Sequence, residues 1–405
     1  MKAEIIVVGS ELVRGHRTDK NGPFLCLELG RLGLDVCRMT LIPDRPACIT
    51  ADTAGAVSRR AEVLMICGGL GPTVDDVTRE AVAAALGQQL VIDEEVRREV
   101  SGRAASFGDV SDTAIDRQSL VFPGARWFAN RVGVAPGLAV QHGPTTVYLL
   151  PGPPPEMQEM FRRAVQPELS GRAPTRWVRI LRTVGRREVA VAAAVEPLLM
   201  VRPGMTVAYL PGPGVVDVVL SSDLASHDDA ADGVREALGD CVYGEDAQTL
   251  EEVVEELLVQ RSQHLVTAES CTGGMVAGLL TSVPGSSRVF LGGVVAYSNP
   301  LKERLLGVPG SLLERCGAVS AEVAQAMARG ALERLGGQWA LSITGIAGPD
   351  GGSVDKPVGL VFHGLAGLDG RCEVARHLLG GDRAAIRLAS ARFALDLLRR
   401  CAAVA

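Results

Sequence analysis

The sequence has 405 residues, of which 47% are hydrophobic and 22% are charged, so it is too long for one ordinary core and too apolar for wholesale disorder. A net charge of -6 with only 4% aromatic residues argues against a general nucleic-acid binder, and we expect no direct nucleic-acid contact. The 41 cationic residues include four lysines, at positions 2, 20, 302 and 356, and are otherwise arginines.

The cysteines and the apolar runs bear on the cellular compartment. Nine dispersed cysteines contain no C-x-x-C pair, which is typical of a reducing environment and gives no zinc signature. The first apolar run, 5–8, is too short for a signal peptide, and no run approaches the roughly 18 residues that cross a bilayer. We therefore expect a cytoplasmic protein without membrane contact.

Residues 1–170 alternate short apolar runs, at 5–8, 63–67 and 147–150, with helix-like segments, at 21–32, 75–86 and 157–165. This alternation predicts an α/β domain in which helices cover a parallel sheet. Ligands of such sheets bind beyond the carboxyl ends of the strands. We therefore expect the loops that follow these strands to converge on one edge of the sheet.

The loops in question are polar and rich in glycine. Gly68, Gly69, Gly71, Pro72 and Thr73 form a strand-to-helix turn of the kind that often cradles a phosphate, although it lacks the Gly-Lys-Ser/Thr ending of a P-loop. Asp75 and Asp76 follow at the predicted start of a helix. Carboxylates there ordinarily cap the helix, whereas beside a diphosphate they would need a divalent cation as a bridge, and both interpretations stay open. The loops after the first and last strands add further candidates: Gly9, Ser10, Glu11, Gly152 and Glu156.

The rest of the chain divides into two parts. A polar stretch at 170–175 is typical of a linker, and residues 176–243 are predicted to form a small α+β module. A second linker near 244–246 precedes residues 248–405, which again alternate strands and helices and are predicted to form a second α/β domain.

The turn after the predicted strand 265–268 carries a candidate nucleophile, Ser270, just before the helix 275–281. Free N–H groups in the first turn of that helix would stabilise a developing oxyanion, and Gly273 and Gly274 would let a substrate approach the backbone. Cys271 is a rival nucleophile, because thiols need less activation than hydroxyls. The alternative is that Ser270 or Thr272 only caps the helix.

Lys302 is the candidate base for this serine. It opens a short helix after a second buried strand, 289–295. A desolvated lysine can lose its proton near neutral pH, whereas an arginine cannot. The six histidines fall in no motif, so the sequence does not support a Ser-His-Asp triad. The alternative for Lys302 is a solvated helix lysine.

Two further segments complete the predicted pocket. The stretch 344–359, which includes Gly345, is a long glycine-rich loop between strands that would cover a ligand. Arg383 and Arg387 lie one turn apart at the start of the last helix, an arrangement that suits a phosphate. The alternative is an arginine pair that faces solvent.

Seven segments together carry a resemblance to a known family: TAESCTGG at 267–274, PGSS at 284–287, GVVAYSN at 293–299, LGV at 306–308, CGAVS at 316–320, TGIAGP at 344–349 and KPVG at 356–359. In combination they resemble the PncC-type nicotinamide mononucleotide deamidase domain over about residues 248–401. The resemblance implies hydrolysis of nicotinamide mononucleotide to nicotinate mononucleotide and ammonia by a serine–lysine pair, here Ser270 and Lys302, without a cofactor. It places Tyr297, Asn299 and Arg383 in the substrate pocket.

With the N-terminal loops and the middle module, the chain resembles the CinA family over essentially its whole length, and its first domain is similar to molybdopterin-binding domains. The resemblance implies a homodimer and an ADP-ribose pyrophosphatase activity, dependent on Mg, Mn or Co, that yields AMP and ribose 5-phosphate. Asn21 falls in the implied nucleotide site, and Asp75 and Asp76 would hold the metal. Six positions differ from the family motifs: Ser10, Lys20, Ile115, Asp116, Arg117 and Val134.

Two other hypotheses compete with a bifunctional enzyme of pyridine-nucleotide recycling. In one, the first domain binds a nucleotide or pterin-like ligand without turning it over. In the other, the protein is a non-catalytic partner in competence or DNA repair.

Overall fold

Short apolar strands and amphipathic helices alternate along most of the chain, as the hydrophobic pattern predicts. The computed structural model describes residues 1–106, 108, 111–173, 176–200, 202, 204–222 and 227–403. These residues form two compact units that adjoin in sequence at Trp177 and Val178. Among the described residues, no helix is both long and apolar enough to span a bilayer.

The first unit is built on a six-stranded sheet. The strands of this unit are β1 (Lys2–Val8), β2 (Asp35–Ile42), β3 (Val63–Cys67), β4 (Val91–Ile92), β5 (Leu120–Val121), β6 (Arg126–Phe128), β7 (Gly137–His142) and β8 (Thr145–Leu150). Its helices are α1 (Ser10–Val13), α2 (Asn21–Arg31), α3 (Pro46–Ser58), α4 (Thr78–Leu86), α5 (Glu94–Ala104), α6 (Asp112–Gln118), α7 (Pro154–Met160) and α8 (Gln166–Leu169).

The sheet order is β2-β1-β3-β8-β7-β6, and β4 pairs with β5 in a separate ribbon. The first four strands of the sheet are parallel, which confirms the predicted α/β class. Strands β7 and β6 extend the sheet in antiparallel fashion, a feature that the sequence pattern did not indicate.

Both faces of this sheet are covered. Along β1, Ile6 and Val8 pack into one buried apolar cluster, whereas Ile5 and Val7 pack into another. Successive side chains of a strand point to opposite faces, so an unbroken apolar run such as β1 needs a layer of helices on each side.

Helix α4 begins later than predicted. The predicted start near Asp75 is wrong, because α4 begins at Thr78. The Thr78 hydroxyl donates a 2.8 Å hydrogen bond to the carbonyl oxygen of Gly68, and its backbone N–H donates a 3.1 Å bond to that of Gly69. These bonds fix the helix start against the glycine-rich loop, and the two aspartates lie in the turn before it.

The second unit contains two sheets. Its strands are β9 (Trp177–Val184), β10 (Met205–Gly212), β11 (Val215–Ser222), β12 (Val242–Glu245), β13 (Leu265–Glu269), β14 (Phe290–Val295), β15 (Trp339–Gly345), β16 (Leu360–Gly367) and β17 (Cys372–Leu378). Its helices are α9 (Glu188–Leu199), α10 (Asp228–Leu238), α11 (Leu250–Gln260), α12 (Met275–Thr281), α13 (Asn299–Leu306), α14 (Gly310–Cys316), α15 (Ala321–Leu335) and α16 (Arg383–Ala403).

The smaller sheet has the order β10-β11-β9-β12 and belongs to the α+β segment of the chain. The larger sheet has the order β14-β13-β15-β16-β17, in which β14, β13 and β15 are parallel and the last two strands are antiparallel. The predicted segments 176–243 and 248–405 both fall largely within this unit, and their boundaries stay predictions.

The larger sheet is also covered on both faces. On β13, Leu265 packs into a cluster with residues of α11, α12 and α16, whereas Val266 packs into a cluster with residues of α15. The carboxyl ends of β14, β13 and β15 therefore emerge side by side between two helical layers, which places the loops after them together.

Three polar side chains form a row of close polar contacts in this core. His363 on β16 is fully buried, with its Nε2 atom 3.0 Å from the Ser390 hydroxyl and its Nδ1 atom 3.1 Å from Nδ1 of His377. Burial, followed by the neighbouring His377, lowers the pKa of His363 to about 3. The imidazole is therefore neutral at physiological pH.

Candidate functional site

Ser270 and Lys302 meet at the carboxyl end of the larger sheet. Ser270 directly follows β13, and its Oγ atom lies 3.0 Å from Nζ of Lys302 on α13. Ser270 is 8% exposed and Lys302 is 1% exposed. The structure therefore brings the two predicted catalytic residues into hydrogen-bond contact and excludes the alternative of a solvated helix lysine.

The surroundings of Lys302 favour its neutral form. Its Nζ atom donates hydrogen bonds of 3.0 and 3.3 Å to the carbonyl oxygens of Ala296 and Tyr297, and the described residues give it no ion pair with a carboxylate. Burial lowers the pKa of the Lys302 ammonium below its usual value. An uncharged amine can donate both protons to the two carbonyls and direct its lone pair at the Ser270 hydroxyl.

Glu269 occupies the N-terminus of α12. Its carboxylate, 1% exposed, accepts backbone hydrogen bonds from Gly274, Val276 and Ala277 at 2.9, 3.1 and 2.9 Å. The expectation that the first turn of this helix offers free N–H groups to an oxyanion is therefore wrong. The carboxylate satisfies those donors and the positive end of the helix dipole itself.

Two backbone donors remain beside Ser270. The N–H of Gly273 donates a 3.1 Å hydrogen bond to the carbonyl oxygen of Ser270 and is thus occupied. The N–H group of Thr272 has no hydrogen-bond acceptor among the described residues, and that of Cys271 contacts only the thiol of its own side chain. Of the segment 271–273, only these two groups are free to meet an oxyanion on a substrate attached to Ser270.

The environment of Cys271 does not suit a nucleophile. Cys271 is 7% exposed, and burial raises the pKa of its thiol to about 11. Glu269 also acts to raise the pKa of this thiol, although Lys302 and Arg387 act against it. A thiol in this state is protonated at neutral pH, whereas thiolate is the reactive form.

Arg387 supports the loop that carries Ser270. Its Nη2 atom donates a 2.6 Å hydrogen bond to the carbonyl oxygen of Thr272, and its buried Nε atom has no partner among the described residues. A Cβ atom at Gly273 would lie 3.4 Å from the Arg387 guanidinium, so this glycine allows close packing. Thr272 is fully buried, and its hydroxyl also lacks a partner in the described structure.

Arg383, one turn earlier on α16, joins two other loops. It donates 2.6 and 3.0 Å hydrogen bonds to the carbonyl oxygen of Gly348 and to the hydroxyl of Tyr297. Tyr297 is 58% exposed, which places this contact at the rim of the site. The glycine-rich loop is thus attached to the segment that follows β14.

Asn299 and Gly345 complete the predicted pocket residues. Asn299 begins α13 and is exposed. Gly345 ends β15, where a Cβ atom would lie only 2.7 and 2.8 Å from atoms of Val361 and Leu360 on the neighbouring strand. The absence of a side chain at 345 is explained by strand packing, and the structure gives Gly345 no separate part in binding.

In the first unit, loops after β1, β3 and β8 converge as predicted from the parallel strands. The N–H of Gly68 donates a 3.0 Å hydrogen bond to the carbonyl oxygen of Leu150, and the Asn21 amide donates a 2.7 Å bond to that of Gly152. Gly68 has φ of 105°, and a Cβ atom there would lie 2.2 Å from the carbonyl oxygen of Val8. Only glycine permits this approach of the three loops.

Two adjoining cavities lie at this edge. The larger, of about 700 Å³, is lined by five carboxylate residues and two cationic ones: Glu11, Asp19, Asp44, Asp75, Asp76, Arg17 and Lys20. The smaller, of about 340 Å³, is mostly apolar and shares Gly69, Asp76, Gly152 and Pro153 with the larger. Gly71 and Pro72 line the smaller cavity, and Gly9 lines the larger.

Asp75 and Asp76 close a turn with Thr73. The Thr73 hydroxyl lies 2.5 Å from Asp75 Oδ1 and 2.6 Å from Asp76 Oδ2, and the Thr73 N–H also donates to Asp76. The hydroxyl contact holds the pKa of Asp75 below its usual value. Arg117 fixes the same turn, since it donates to the carbonyl oxygens of Thr73 and Asp76.

The side chains around Asp75 and Asp76 bear on whether these two residues could hold a divalent cation. No group of three or more His, Cys, Asp or Glu side chains within the described ranges is arranged to hold a metal ion. Magnesium, however, is often held by one or two carboxylates together with phosphate oxygens. Asp75 and Asp76 fit that second arrangement, in which a bound diphosphate would supply the remaining ligands.

Ser10 replaces a family threonine and pairs with Asp44. The backbone N–H of each residue donates to the side chain of the other, at 2.6 and 3.2 Å. Its single partner, Asp44, lines the larger cavity, so the Ser10 hydroxyl helps to fix a loop beside that cavity.

Comparison with known proteins identifies the family to which the chain belongs. Residues 4–171 match the family described as "Probable molybdopterin binding domain", and residues 247–402 match "CinA C-terminal domain". A CinA-like protein of Geobacter sulfurreducens is 40% identical over 411 residues, which cover 99% of this chain and 99% of that protein. A CinA-like protein of Chlorobaculum tepidum is 40% identical over 402 residues, which cover 95% and 94%.

The chain belongs to the CinA family. A crystal structure of the competence/damage inducible protein CihA from Agrobacterium tumefaciens, with 42% identity, covers 37% of this CinA chain and 93% of its own, with a TM-score of 0.36. The predicted resemblance to CinA proteins is confirmed, as is the order of a molybdopterin-binding-like domain followed by the CinA C-terminal domain.

Three side chains of this CinA chain escaped the sequence reasoning. Glu269 lies in the motif between a buried strand and the candidate nucleophile, but no residue pattern indicates that its carboxylate binds the start of α12. Gln118 lines the smaller cavity, and Asp19 lines the larger. Nothing in their local sequence indicates this, because the loops that complete each cavity are distant along the chain.

Proposed function

We propose that the C-terminal part of this CinA chain hydrolyses the carboxamide of nicotinamide mononucleotide, giving nicotinate mononucleotide and ammonia. The observation that carries the proposal is the 3.0 Å contact between Ser270 Oγ and a buried Lys302 Nζ. A hydroxyl next to an amine of lowered pKa is an activated nucleophile, and such pairs serve acyl transfer. The substrate itself is inferred from the family resemblance.

The reaction begins with transfer of the Ser270 proton to neutral Lys302. The alkoxide attacks the amide carbon, and the oxyanion accepts hydrogen bonds from the N–H groups of Cys271 and Thr272. Lys302 then returns the proton to the departing nitrogen, so that ammonia leaves and an acyl-enzyme remains. Water, deprotonated by Lys302, attacks the ester. Lys302 then returns this proton to the Ser270 oxygen as the ester bond breaks and nicotinate mononucleotide leaves. No cofactor takes part in these steps.

The rim of the site supplies the remaining binding groups. Arg383, which already contacts Tyr297 and Gly348, has further N–H donors that would receive the phosphate of the substrate. The N-terminus of α12 is filled by Glu269 and repels an anion, so the phosphate would have to bind at the arginine side of the pocket. Asn299, exposed beside Tyr297, would contact the ribose.

Ammonia release from nicotinamide mononucleotide tests this function. We expect activity in the wild type and none above background in Ser270→Ala and Lys302→Arg, because a guanidinium stays protonated and cannot act as the base. Lys356→Arg is the matched control, since Lys356 donates its hydrogen bond to the Cys316 carbonyl and not to Ser270. Full activity of Lys302→Arg would contradict the base, and full activity of Ser270→Ala would contradict the nucleophile.

For the N-terminal unit we propose nucleotide binding at the two adjoining cavities. The observation that favours it is the pairing of a mostly apolar cavity with a polar one at the carboxyl edge of a parallel sheet. Hydrolysis of ADP-ribose to AMP and ribose 5-phosphate would require a divalent cation held by Asp75 and Asp76, which would offset the charge of the diphosphate.

Incubation of the full chain with ADP-ribose and Mg²⁺, Mn²⁺ or Co²⁺ separates turnover from binding. AMP formed with the wild type and lost in Asp76→Asn supports the pyrophosphatase. Binding of ADP-ribose with no AMP under any metal supports a binding module. The homodimeric state, the cytoplasmic location and the role in competence or DNA repair stay predictions.

A further inference from the structure

A further cavity lies within the second unit, apart from the candidate catalytic pair. It has a volume of about 450 Å³ and is lined by the turn after β9, the turn between β10 and β11, the end of β17 with the loop that follows it, and α16. Neither Ser270 and Lys302 nor the arginines Arg383 and Arg387 line it. A ligand in this cavity would therefore occupy a place separate from the proposed deamidase site.

Hydrogen bonds hold the walls of this cavity together. The N–H of Gly185 donates a 3.1 Å bond to the carbonyl oxygen of Gly214, which joins the turn after β9 to the turn between β10 and β11. Arg392 on α16 donates a 2.8 Å bond to the carbonyl oxygen of Pro213. Gly214 has φ of 77°, and a Cβ atom there would lie 3.1 Å from Cα of Ala389 on α16. The three segments are thus fixed to one another, so the cavity is a constant feature of this unit.

Two adjacent guanidinium groups line one side of the cavity. The side chains of Arg186 and Arg187 are exposed and form no hydrogen bond or ion pair with any described residue. Arg182 on β9, by contrast, pairs with Asp217. Glu188 is the single carboxylate residue of the lining, so two guanidinium groups face one carboxylate and the wall is positive. Guanidinium groups with free donors beside a cavity favour an anionic ligand.

His377 connects the cavity to the buried row formed by His363 and Ser390. Its Nδ1 atom lies 3.1 Å from Nδ1 of His363, whereas its Nε2 atom has no hydrogen-bond partner among the described residues. Two facing Nδ1 atoms need one donor and one acceptor, and the neutral His363 can be the acceptor. A His377 ring that carries both protons would then donate Nδ1–H to His363 and Nε2–H to an anion in the cavity.

The rest of the wall is largely apolar. Phe393 stacks on the His377 ring, with ring centroids 4.5 Å apart and ring planes 27° apart. The other apolar side chains of the lining are those of Val215, Val216, Leu378, Leu379 and Ala389. An inorganic ion would leave this surface uncovered, whereas a carbon skeleton would pack against it. The lining therefore fits an organic molecule that carries its anionic group at one end.

We propose that this cavity binds a small phosphate monoester. A phosphate dianion offers three acceptor oxygens, which match the three donor side chains Arg186, Arg187 and His377, and its charge matches the two guanidinium groups. A carboxylate has one charge and two oxygens, so it would leave one of these side chains without a partner. The proposal does not rest on the deamidation proposed above, because no residue of that reaction lines this cavity.

Magnetic resonance of the full chain, isotopically labelled in its histidine rings, tests the proposal. The chain has six histidines, and the ring signals of His377 are assigned by their loss in His377→Asn. Ribose 5-phosphate is the probe, and ribose and acetate are the comparison ligands. We expect ribose 5-phosphate to shift the His377 signals with saturation, ribose to leave them unchanged, and acetate to bind at least about tenfold more weakly.

The double variant Arg186→Gln/Arg187→Gln assigns the effect to the guanidinium groups. It should bind ribose 5-phosphate at least about tenfold more weakly, as measured at His377. Its Tm should equal that of the wild type, because both side chains are exposed. Arg315→Gln/Arg329→Gln is the matched control. It removes the same charge from exposed arginines of α14 and α15 that do not line the cavity, so the affinity should stay unchanged.

Four results would overturn the proposal. His377 signals that stay unshifted at every concentration of ribose 5-phosphate would exclude the site. An equal shift with ribose would show that the phosphate is not recognised, and equal affinity for acetate would show a site for anions in general. Equal weakening in the two double variants would show that binding depends only on the net charge of the protein and not on Arg186 and Arg187.

Discussion

Glu269 accepts a 2.9 Å hydrogen bond from the backbone N–H of Ala277, so the residue before the nucleophile anchors the helix after it. Three such bonds fix the turn that contains Ser270 between β13 and α12. Its carboxylate bonds only to backbone groups of α12 and the turn before it, so we expect it to act on the proposed reaction through the position of the backbone.

Glu269→Gln should therefore lower kcat more than it changes KM. The amide retains one acceptor oxygen, but its NH₂ group faces backbone donors, which shifts the turn and misplaces the serine. Small displacements of a reacting group cost roughly 100-fold in rate, and we expect a loss between tenfold and that value. Steady-state ammonia release measures it.

Glu252→Gln is the control for this substitution. Glu252 forms the capping box of α11 with Thr249, so it also serves a helix start, but away from the catalytic pair. An equal loss of kcat in both variants would indicate general loss of stability and not a role of Glu269 in the site.

The rate of deamidation should rise with pH as Lys302 loses its proton. The reactive form is the neutral amine, and burial lowers the pKa of Lys302 from the ordinary 10.5. The ascending limb of kcat/KM should consequently have its midpoint below 10.5, with activity lost as pH falls through it. A rate that is independent of pH from 6 to 9, or that increases on acidification, would contradict this assignment.

Substitution of Arg387 should mainly lower kcat, whereas substitution of Arg383, one turn earlier on the same helix, should mainly raise KM. Arg387→Gln removes the 2.6 Å bond to the Thr272 carbonyl, so the oxyanion donors move and kcat should fall with little change in KM. Arg383→Gln removes the proposed phosphate partner at the rim, and it should raise KM about tenfold or more. Paired Michaelis curves with nicotinamide mononucleotide separate the two roles.

Cys271→Ala should retain deamidase activity. The thiol is protonated at neutral pH, since burial raises its pKa to about 11, and its N–H group, the part used in the proposed reaction, is present in alanine. We expect kcat within about threefold of the wild type, because only packing around a 7% exposed side chain changes. Loss of activity in Cys271→Ala together with activity in Ser270→Ala would make the cysteine the nucleophile.

The second unit should lose stability on acidification because of His363. In the unfolded chain this histidine takes a proton near pH 6.5, whereas in the folded chain its pKa is about 3. Between these values the unfolded state binds more protons, so stability decreases as pH falls from 6.5 towards 3. Urea unfolding of wild type and His363→Asn at pH 7 and pH 5 tests this: the variant should lose less stability than the wild type over the same interval.

Gly68→Ala should unfold the first unit selectively. Alanine there would strain a residue with φ of 105° and drive its Cβ atom into the Val8 carbonyl, with a cost of at least about 2 kcal/mol. Ammonia release should persist, because Ser270 and Lys302 belong to the separate core of the second unit. Gly15→Ala is the control, since Gly15 also has positive φ, 73°, but no atom lies within 4 Å of an added Cβ.

The parts of the structure that depend on local hydrophobic pattern could be predicted from the sequence. Strand β13 and helix α12 follow from an apolar run and a glycine turn, and their order places Ser270 at a strand end. The approach of Lys302 to Ser270 follows from the parallel pairing of β13 and β14. Both are consequences of periodicity and topology, which a sequence records directly.

The parts that the sequence did not predict depend on side-chain direction and distant loops. Whether Glu269 faces solvent or the helix end is a choice of rotamer, and no residue pattern indicates it. The start of α4 at Thr78 depends on hydrogen bonds to Gly68 and Gly69 that form only when the loop is folded. The cavity that Gln118 lines is completed by Val134 and Pro151, which lie beyond its own helix.

Helix α16 completes the candidate site only late in synthesis of the chain. It packs against α11 and α12, and it delivers Arg387 to the Thr272 carbonyl from 115 residues further along the chain. A ribosome that has made residues 1–380 has therefore produced the serine and the lysine but neither guanidinium. At roughly 5–20 residues per second, several seconds or more separate the synthesis of Ser270 from that of Arg387, and during this interval the turn at Ser270 lacks the hydrogen bond from Arg387.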